Sequence, residues 1–368
     1  KNIIYGYSSA EEDVVREYNL PYKYIAEVAY DGTRYNGFQL QKTSSASTSI
    51  NATPLPLAED GSKDRSKSNQ KSKAKCITIQ GKLENALTQF LGISREALLL
   101  QGAGRTDSGV HARGQVIHFF SKRLLNLDTD RSRAILALNS LLPEDIHVLR
   151  LQRVPLDYNV RFSMGKIYVY DLHLDPLGSD PFTQRFRLCP RALLTSKFNL
   201  EALSSAASAF AGTYDFSLFS SKPRDRSQRT AIRTIKRCEI VQAPPHDFLT
   251  ATPPTFSGDP LLRIEIEGDG FLYKQVRHMV GAMLAAAAGR ITAEDISMAL
   301  NDADPEKPQR SGATLIRPGA YVLAEPQGLC LQRVLLPDPG NPEELMYGEQ
   351  GPVLKRKHEL VDYVSINK

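Results

Sequence analysis

The residue pattern agrees with an α+β fold, on three observations. Short segments alternate apolar and polar residues as strands do. Longer ones repeat apolar residues at helical spacing. The strand, helix, strand order of the first half then returns in the second. Apolar residues make up 41% of 368, ample for a real core, and the length suits two domains or one large one.

Taken in order, Lys1 to Tyr22 is a partly acidic lead-in with no defined pattern. Tyr24 to Tyr30 alternates as a strand, and Asp31-Gly32-Thr33 turns it. The next stretch, Lys42 to Lys75, holds seven basic and three acidic residues, so +4 of the chain's +5 lies there. It has almost no large apolar residues, cannot offset its ordering entropy, and is expected to be disordered, a solvated linker more than an RNA tether. Global charge is therefore weak evidence for RNA binding by the folded part, where a basic cleft would need local clustering. A helix starts near Ile79, with Leu83, Leu87, Phe90 and Leu91 on one face.

Ala97 to Leu100 reads as a buried strand and Gln115 to Phe120 as another. Between them Gly102, Gly104 and Gly109 bracket one carboxylate, Asp107, with Arg105 two residues before it. Glycines free the backbone and admit a ligand closely, so this loop can hold one Asp at the floor of a cleft. On local composition alone, an ordinary turn is the better reading, because Asp and Ser bond readily to nearby backbone.

Beyond the loop, Arg131 to Leu142 reads as a helix with Ile135, Leu138 and Leu142 inward, and His147 to Val154 as a strand. Arg161-Phe162-Ser163 precedes the strand Lys166-Ile167-Tyr168-Val169-Tyr170. A helix spans about Asn199 to Ala211, and a strand starts at Arg229-Thr230-Ala231-Ile232. Ala243 to Pro260, with five prolines, reads as an extended hairpin loop. Ile264 to Gly268 is a strand that passes through Gly268-Asp269-Gly270 into a helix.

No apolar run approaches a membrane span, the longest Ala-rich stretch being Val280 to Ala288. The four cysteines, Cys76, Cys189, Cys238 and Cys330, lie far apart with no CxxC, which argues against a disulfide framework and a local zinc site and fits a reducing compartment.

The run Gly104-Arg105-Thr106-Asp107-Ser108-Gly109-Val110-His111 resembles the signature loop of the TruA family of tRNA pseudouridine synthases, with Ser108 where the family form has Ala. Tyr30 to Gln39 is similar to the family's opening block, and Ile79 to Leu87 to its next one. Arg161 to Tyr168, one residue shorter than the bacterial form, resembles a third; Gly212 to Phe219 and Arg229 to Ile235 resemble two more. Gly268 to Gly281, with every fixed position present, and Glu325 to Leu331 complete eight blocks in order.

The resemblance implies a pseudouridine synthase fold: two similar α/β halves whose antiparallel sheets meet at a central, positively charged catalytic cleft. It implies residues 1–22 as lead-in, 23–155 as the N-terminal half, 156–335 as the C-terminal half and 336–368 as a mobile tail. It implies isomerisation of uridine to pseudouridine in the tRNA anticodon arm, by a homodimer that binds tRNA across both subunits. Asp107 would be the catalytic nucleophile, Arg277 its ion-pair partner that keeps it ionised, and Tyr168 the ring against the target base. Arg105 and Arg161 would contact substrate. The chemistry calls for no metal and no cofactor. His111 and His118 read as a turn histidine and a strand histidine.

Two other readings compete. One is an RNA-binding protein on the same fold that has lost catalysis, against which the intact Asp107, Tyr168 and Arg277 count. The other is a hydrolytic glycosidase, which normally uses two carboxylates where this loop offers one acid and a basic partner. Lys1 is not Met, so removal of an N-terminal segment is expected; what remains cannot show a targeting peptide, and an organelle (chloroplast or mitochondrion), the cytosol and the nucleus all stay open.

Overall fold

The computed structural model describes residues 9–40, 76–174, 181–190, 198–221, 230–242, 261–302, 316–317 and 319–339. The Lys42–Lys75 insert, the Ala243–Pro260 loop, Arg229, and the tail from residue 340 on lie outside the described residues.

In chain order the elements are α1 (Ser9–Glu17), β1 (Tyr22–Tyr30), α2 (Ile79–Leu91), α3 (Arg95–Leu98), β2 (Gln101–Gly102), β3 (His111–Ser121), α4 (Leu127–Ser140) and β4 (Ile146–Val154). Then come β5 (Gly165–His173), α5 (Leu200–Ser208), β6 (Gly212–Asp215), β7 (Ile232–Gln242), β8 (Leu261–Gly268), α6 (Gln275–Ala287), α7 (Ala293–Asp302) and β9 (Leu329–Leu335). Among the described residues the strands form one sheet in the order β4-β1-β3-β9-β5-β8-β7-β6, with β2 paired to β3.

The last strand returns to the middle and joins the halves. β9 runs antiparallel to β5 and parallel to β3, where His111 faces Cys330 and Ala112 faces Leu331. Gly114 permits this crossing, since a Cβ there would lie 2.6 Å from the backbone oxygen of Gln332. Every other pairing along the sheet is antiparallel.

Alternation sends one set of side chains to the helical face. Tyr24, Ala26, Val28 and Tyr30 of β1, Tyr168, Tyr170 and Leu172 of β5, and Ile264 and Ile266 of β8 share one core. Leu83 and Leu87 of α2, Leu203 and Ala207 of α5, and Met279, Val280 and Met283 of α6 pack into the same core. The Ala-rich stretch is thus a buried helix, and its small side chains let α6 lie close to α5. Among the described residues no helix is long and apolar enough to cross a membrane.

α2 begins where Thr78 Oγ1 accepts the Gly81 N–H at 3.2 Å and ends at Gly92 with φ 66°. α5 is capped by Asn199, whose Oδ1 accepts the Ala202 N–H at 3.1 Å. Two expectations are corrected. Ala97 to Leu100 is buried as expected but not extended. Ser94 Oγ caps a short helix through the Ala97 N–H, Leu99 takes a left-handed φ of 46°, and pairing begins only at Gln101. An apolar run of four residues does not distinguish a buried strand from a buried helical turn. The lead-in contains α1, whose end packs Val15 and Tyr18 against Leu20, Ala97 and Phe120.

Candidate active site

The loop from Ala103 to Val110 enters β3 at the centre of the sheet, beside its join with β9. A turn closes it: the Val110 N–H donates to the Asp107 carbonyl at 3.1 Å, and Gly109 takes φ 78°. The segment after β1 forms its floor. Phe38 N–H donates to Thr106 O at 3.1 Å, Gly109 N–H to Tyr35 O at 3.3 Å, and Ser108 Oγ to Tyr35 O at 3.1 Å. Tyr30 and Thr106 hydroxyls bond at 2.8 Å, and Gln115 Nε2 donates to Gly104 O at 3.0 Å. Ser108, where the family form has Ala, adds a bond to this floor.

The Tyr30–Gln39 block therefore does more than make a strand and a turn. A Cβ on Gly37, which has φ +90°, would lie 2.8 Å from Thr106 O, and one on Gly32 only 2.0 Å from Val110 O. Backbone lies on backbone here, and only glycine fits. Gly32→Ala is expected to displace the loop, cost about 1–3 kcal/mol as overpacking does, and lower kcat more than substrate affinity. Thermal melting and single-turnover kinetics check this. An unchanged kcat would show that the contact does not hold the loop.

Asp107 lies at the loop's tip with its side chain 19% exposed, and Nη1 of Arg277, whose side chain is 11% exposed, stands 3.7 Å from its Oδ2. That is an ion pair beyond hydrogen-bond range. Arg277 is aimed by its Nε, which donates to Ala324 O at 2.7 Å, while its own carbonyl accepts the Ala324 N–H at 3.2 Å. Lys274, at the N-cap of α6, takes a left-handed φ of 61°, and its charge also acts on Asp107. A strained non-glycine residue of this kind often marks a functional site.

Burial raises the Asp107 carboxyl above its ordinary value, and Arg277 and then Lys274 oppose that rise only in part. Arg277 thus favours the ionised form as expected of an ion-pair partner, and Lys274 adds to it. The carboxylate is held against desolvation by two cations, and the net direction is upward.

Tyr168 projects from β5 toward the same place, 7% exposed, with its ring edge-on to Phe271 at 5.1 Å. Its hydroxyl makes no hydrogen bond among the described residues, unlike Tyr170, whose hydroxyl donates to Glu325 O at 2.8 Å. A tyrosine placed only for packing normally bonds its hydroxyl when buried. Burial pushes the Tyr168 phenol up, with the Tyr30 hydroxyl and the Asp107 charge adding to it.

Arg105 is exposed on the loop and makes no ion pair among the described residues. Arg161 is exposed in the turn before β5, where its charge acts on His118, and it does not pair with Asp107. Asp107, Arg277 and Tyr168 thus converge, Arg105 lies two residues from Asp107 on the same loop, and Arg161 is not brought into contact with them among the described residues.

Sequence reasoning gave Lys274 no role and Lys166 only its place as the basic residue of the Arg161–Tyr168 block. The signals were present: Lys166 is two residues from Tyr168 on one strand face, and Lys274 three from Arg277 on one helical turn. His111 and His118 both belong to β3, so His111 is a strand residue and not a turn residue. Its Nδ1 lies 3.1 Å from Asp31 Oδ1, and its Nε2 lies 2.9 Å from Arg185 O.

A cavity of about 360 Å³ opens on the opposite face, lined by Asp31, His111, Asp171, Arg263 and Cys330 among others. None of Asp107, Tyr168 or Arg277 lines it, and three of its carboxylates are already engaged: Asp171 by Arg263 at 2.7 and 2.9 Å, Asp145 by the Tyr35 hydroxyl and Asp31 by Thr33. Among the described residues no group of three or more His, Cys, Asp or Glu could hold a metal ion.

One glycine-framed carboxylate, a paired arginine and an unbonded tyrosine suit chemistry on a flat ring joined to a sugar. Comparison with known proteins shows the family. A family model described as tRNA pseudouridine synthase matches residues 58–163 and 206–335. A tRNA pseudouridine synthase A 1 of Protochlamydia amoebophila is 31% identical over 313 residues, covering 84% of this chain and 95% of its own. A tRNA pseudouridine synthase A of a Geobacter species is 33% identical over 267 residues, 71% of this chain and 90% of its own. One from Listeria monocytogenes is 31% identical over 314 residues, 85% and 98%.

Proposed function

We propose, for a chain that belongs to the TruA family of tRNA pseudouridine synthases, that it isomerises uridine to pseudouridine in the anticodon arm of tRNA with Asp107 as nucleophile. The chain is an isomerase acting on tRNA. The observation that carries the finer assignment is the pairing of one loop carboxylate, Asp107, with Arg277 at 3.7 Å beside the unbonded ring of Tyr168.

The reaction breaks the bond from ribose C1′ to N1, turns the base, and joins C1′ to C5. N1 gains a proton and C5 loses one, so atoms and electrons balance without oxidant, phosphate donor or second substrate. The target nucleotide must first leave its stack, at a cost of a few kcal/mol. Tyr168 recovers part of that by stacking on the base, and Arg105 occupies the vacated space or grips a phosphate. Asp107 acts on the sugar as N1 departs, and must be ionised to do so. Arg277 and Lys274 favour that form against burial. The family resemblance supports a homodimer with tRNA across both subunits, which sedimentation with and without tRNA tests.

The direct experiment is pseudouridine mapping on whole tRNA transcripts incubated with the protein and no added metal. Product confined to the anticodon arm is expected. Product in another arm would overturn the site assignment, and binding without product would favour a binding protein on this fold. For Tyr168 the expectation divides by substituent. Tyr168→Phe keeps activity within a few-fold, because the hydroxyl has no bond to lose. Tyr168→Ala loses the stacking, about 1–3 kcal/mol, in kcat/KM. Equal losses in both variants would assign the role to the hydroxyl.

A further inference from the structure

Lys166 stands at the start of β5, two residues before Tyr168 and on the same side of the strand. Its stem lies along the signature loop. A Cβ on Gly104 would sit 2.9 Å from Lys166 Cε, 3.6 Å from Cδ and 3.9 Å from Nζ, so glycine there makes room for this side chain. Nζ donates to Ser163 Oγ at 3.0 Å. Among the described residues Lys166 makes no ion pair, although eleven pairs form elsewhere, several of them on the exposed surface.

An ammonium has three N–H donors, and Ser163 takes one. Withdrawing such a group from water without an anion is costly. Burial lowers its pKa to about 8, Asp269 opposes this and Arg233 reinforces it. A cation kept largely buried, with donors uncommitted, at the edge of a loop that presents Asp107 is a site awaiting an anion. Gly104 is three residues from Asp107, at most about 10 Å of chain. A nucleotide whose C1′ is at Asp107 carries its flanking phosphates at that scale.

We propose that Lys166 binds an RNA phosphodiester flanking the target uridine, locking the strand against the signature loop. This rests on the RNA isomerase reading above. Lys166 is then a substrate-binding residue that lies against the signature loop at Gly104.

The test is Lys166→Met, which keeps the stem and removes the charge. Binding of an anticodon-arm RNA is measured against salt concentration, with melting temperature alongside. The expected result is affinity roughly ten-fold or more weaker, with a slope of log K against log salt smaller by about 0.7–1 and an unchanged or raised melting temperature. An unchanged salt slope overturns the proposal. So does a lowered melting temperature with intact affinity, which would make Lys166 a structural residue.

If Lys166→Met does not fold, wild-type protein is tested on RNA whose phosphates flanking the target uridine are methylphosphonates. Loss of affinity by the same factor supports the contact, and no loss overturns it. Pseudouridine formation by wild type on the unmodified anticodon-arm RNA is assayed in parallel. Its absence would overturn the isomerase reading, while the salt slope still judges Lys166.

Discussion

Asp107→Asn is expected to abolish pseudouridine formation, with a rate loss of about 10⁴-fold or more, and at the same time to raise the melting temperature. Both halves follow from one geometry. Asn is nearly isosteric, so the turn through the Val110 N–H and the floor bonds to Thr106 and Ser108 remain. The carboxylate, the single nucleophile this loop offers, is lost. Binding of tRNA should persist, since phosphate contacts carry most of the affinity.

The stability gain has a definite pH dependence. Burial raises the folded-state pKa of Asp107 above 3.8. Between the unfolded and folded values the folded state binds more protons, so stability falls as pH rises through that window and stays reduced above it. Asn removes this penalty. The difference in melting temperature should be greatest at neutral pH, correspond to about 0.5–2 kcal/mol, and close as pH falls toward the ordinary carboxylate range. A destabilised Asn variant at pH 7 would contradict the upward shift. Product from the variant would remove Asp107 from its assigned role.

Arg277→Gln should lower kcat/KM by about 10²–10³-fold and move the acid limb of the pH–rate profile to higher pH. Arg277 is the largest influence opposing the desolvation of Asp107, so its loss lets the carboxyl rise further and hold its proton at higher pH. Lys274 remains and limits the movement. The variant also forfeits the Nε bond to Ala324 O, about 1.5–3 kcal/mol as hydrogen bonds to charged groups run.

Arg277→Lys separates the two effects. It keeps a positive charge and should restore much of the acid limb, yet it lacks the planar fork that bonds Ala324 while facing Asp107. Its kcat should stay low. An acid limb that does not move in Arg277→Gln would show that the ion pair at 3.7 Å does not tune Asp107.

The strands at Tyr24–Tyr30 and Gln115–Phe120, the helix from Ile79 and the glycine-framed Asp107 were all legible in the sequence. Each depends on local order: period-two alternation, i to i+4 apolar spacing, or glycines at short range. The eight ordered blocks likewise pointed to the family and hence to the fold. The Ala97–Leu100 run was not legible, because burial alone does not choose between strand and turn, and Ser94 decided it through one cap.

Other features arose only from contacts between distant segments. The parallel pairing of His111 with Cys330 joins residues from opposite ends of the folded chain, and no local pattern encodes a partner so far away. Gly32 and Gly37 read as turn glycines until Val110 and Thr106 are seen against them. Lys166 is one basic residue of the Tyr168 block in sequence, and only the folded chain lays its stem against Gly104. The ionisation of Asp107 follows the same rule. Sequence supplied the acid and its arginine, but the net direction depends on how much water the assembled halves exclude, and desolvation is a property of the whole packed site.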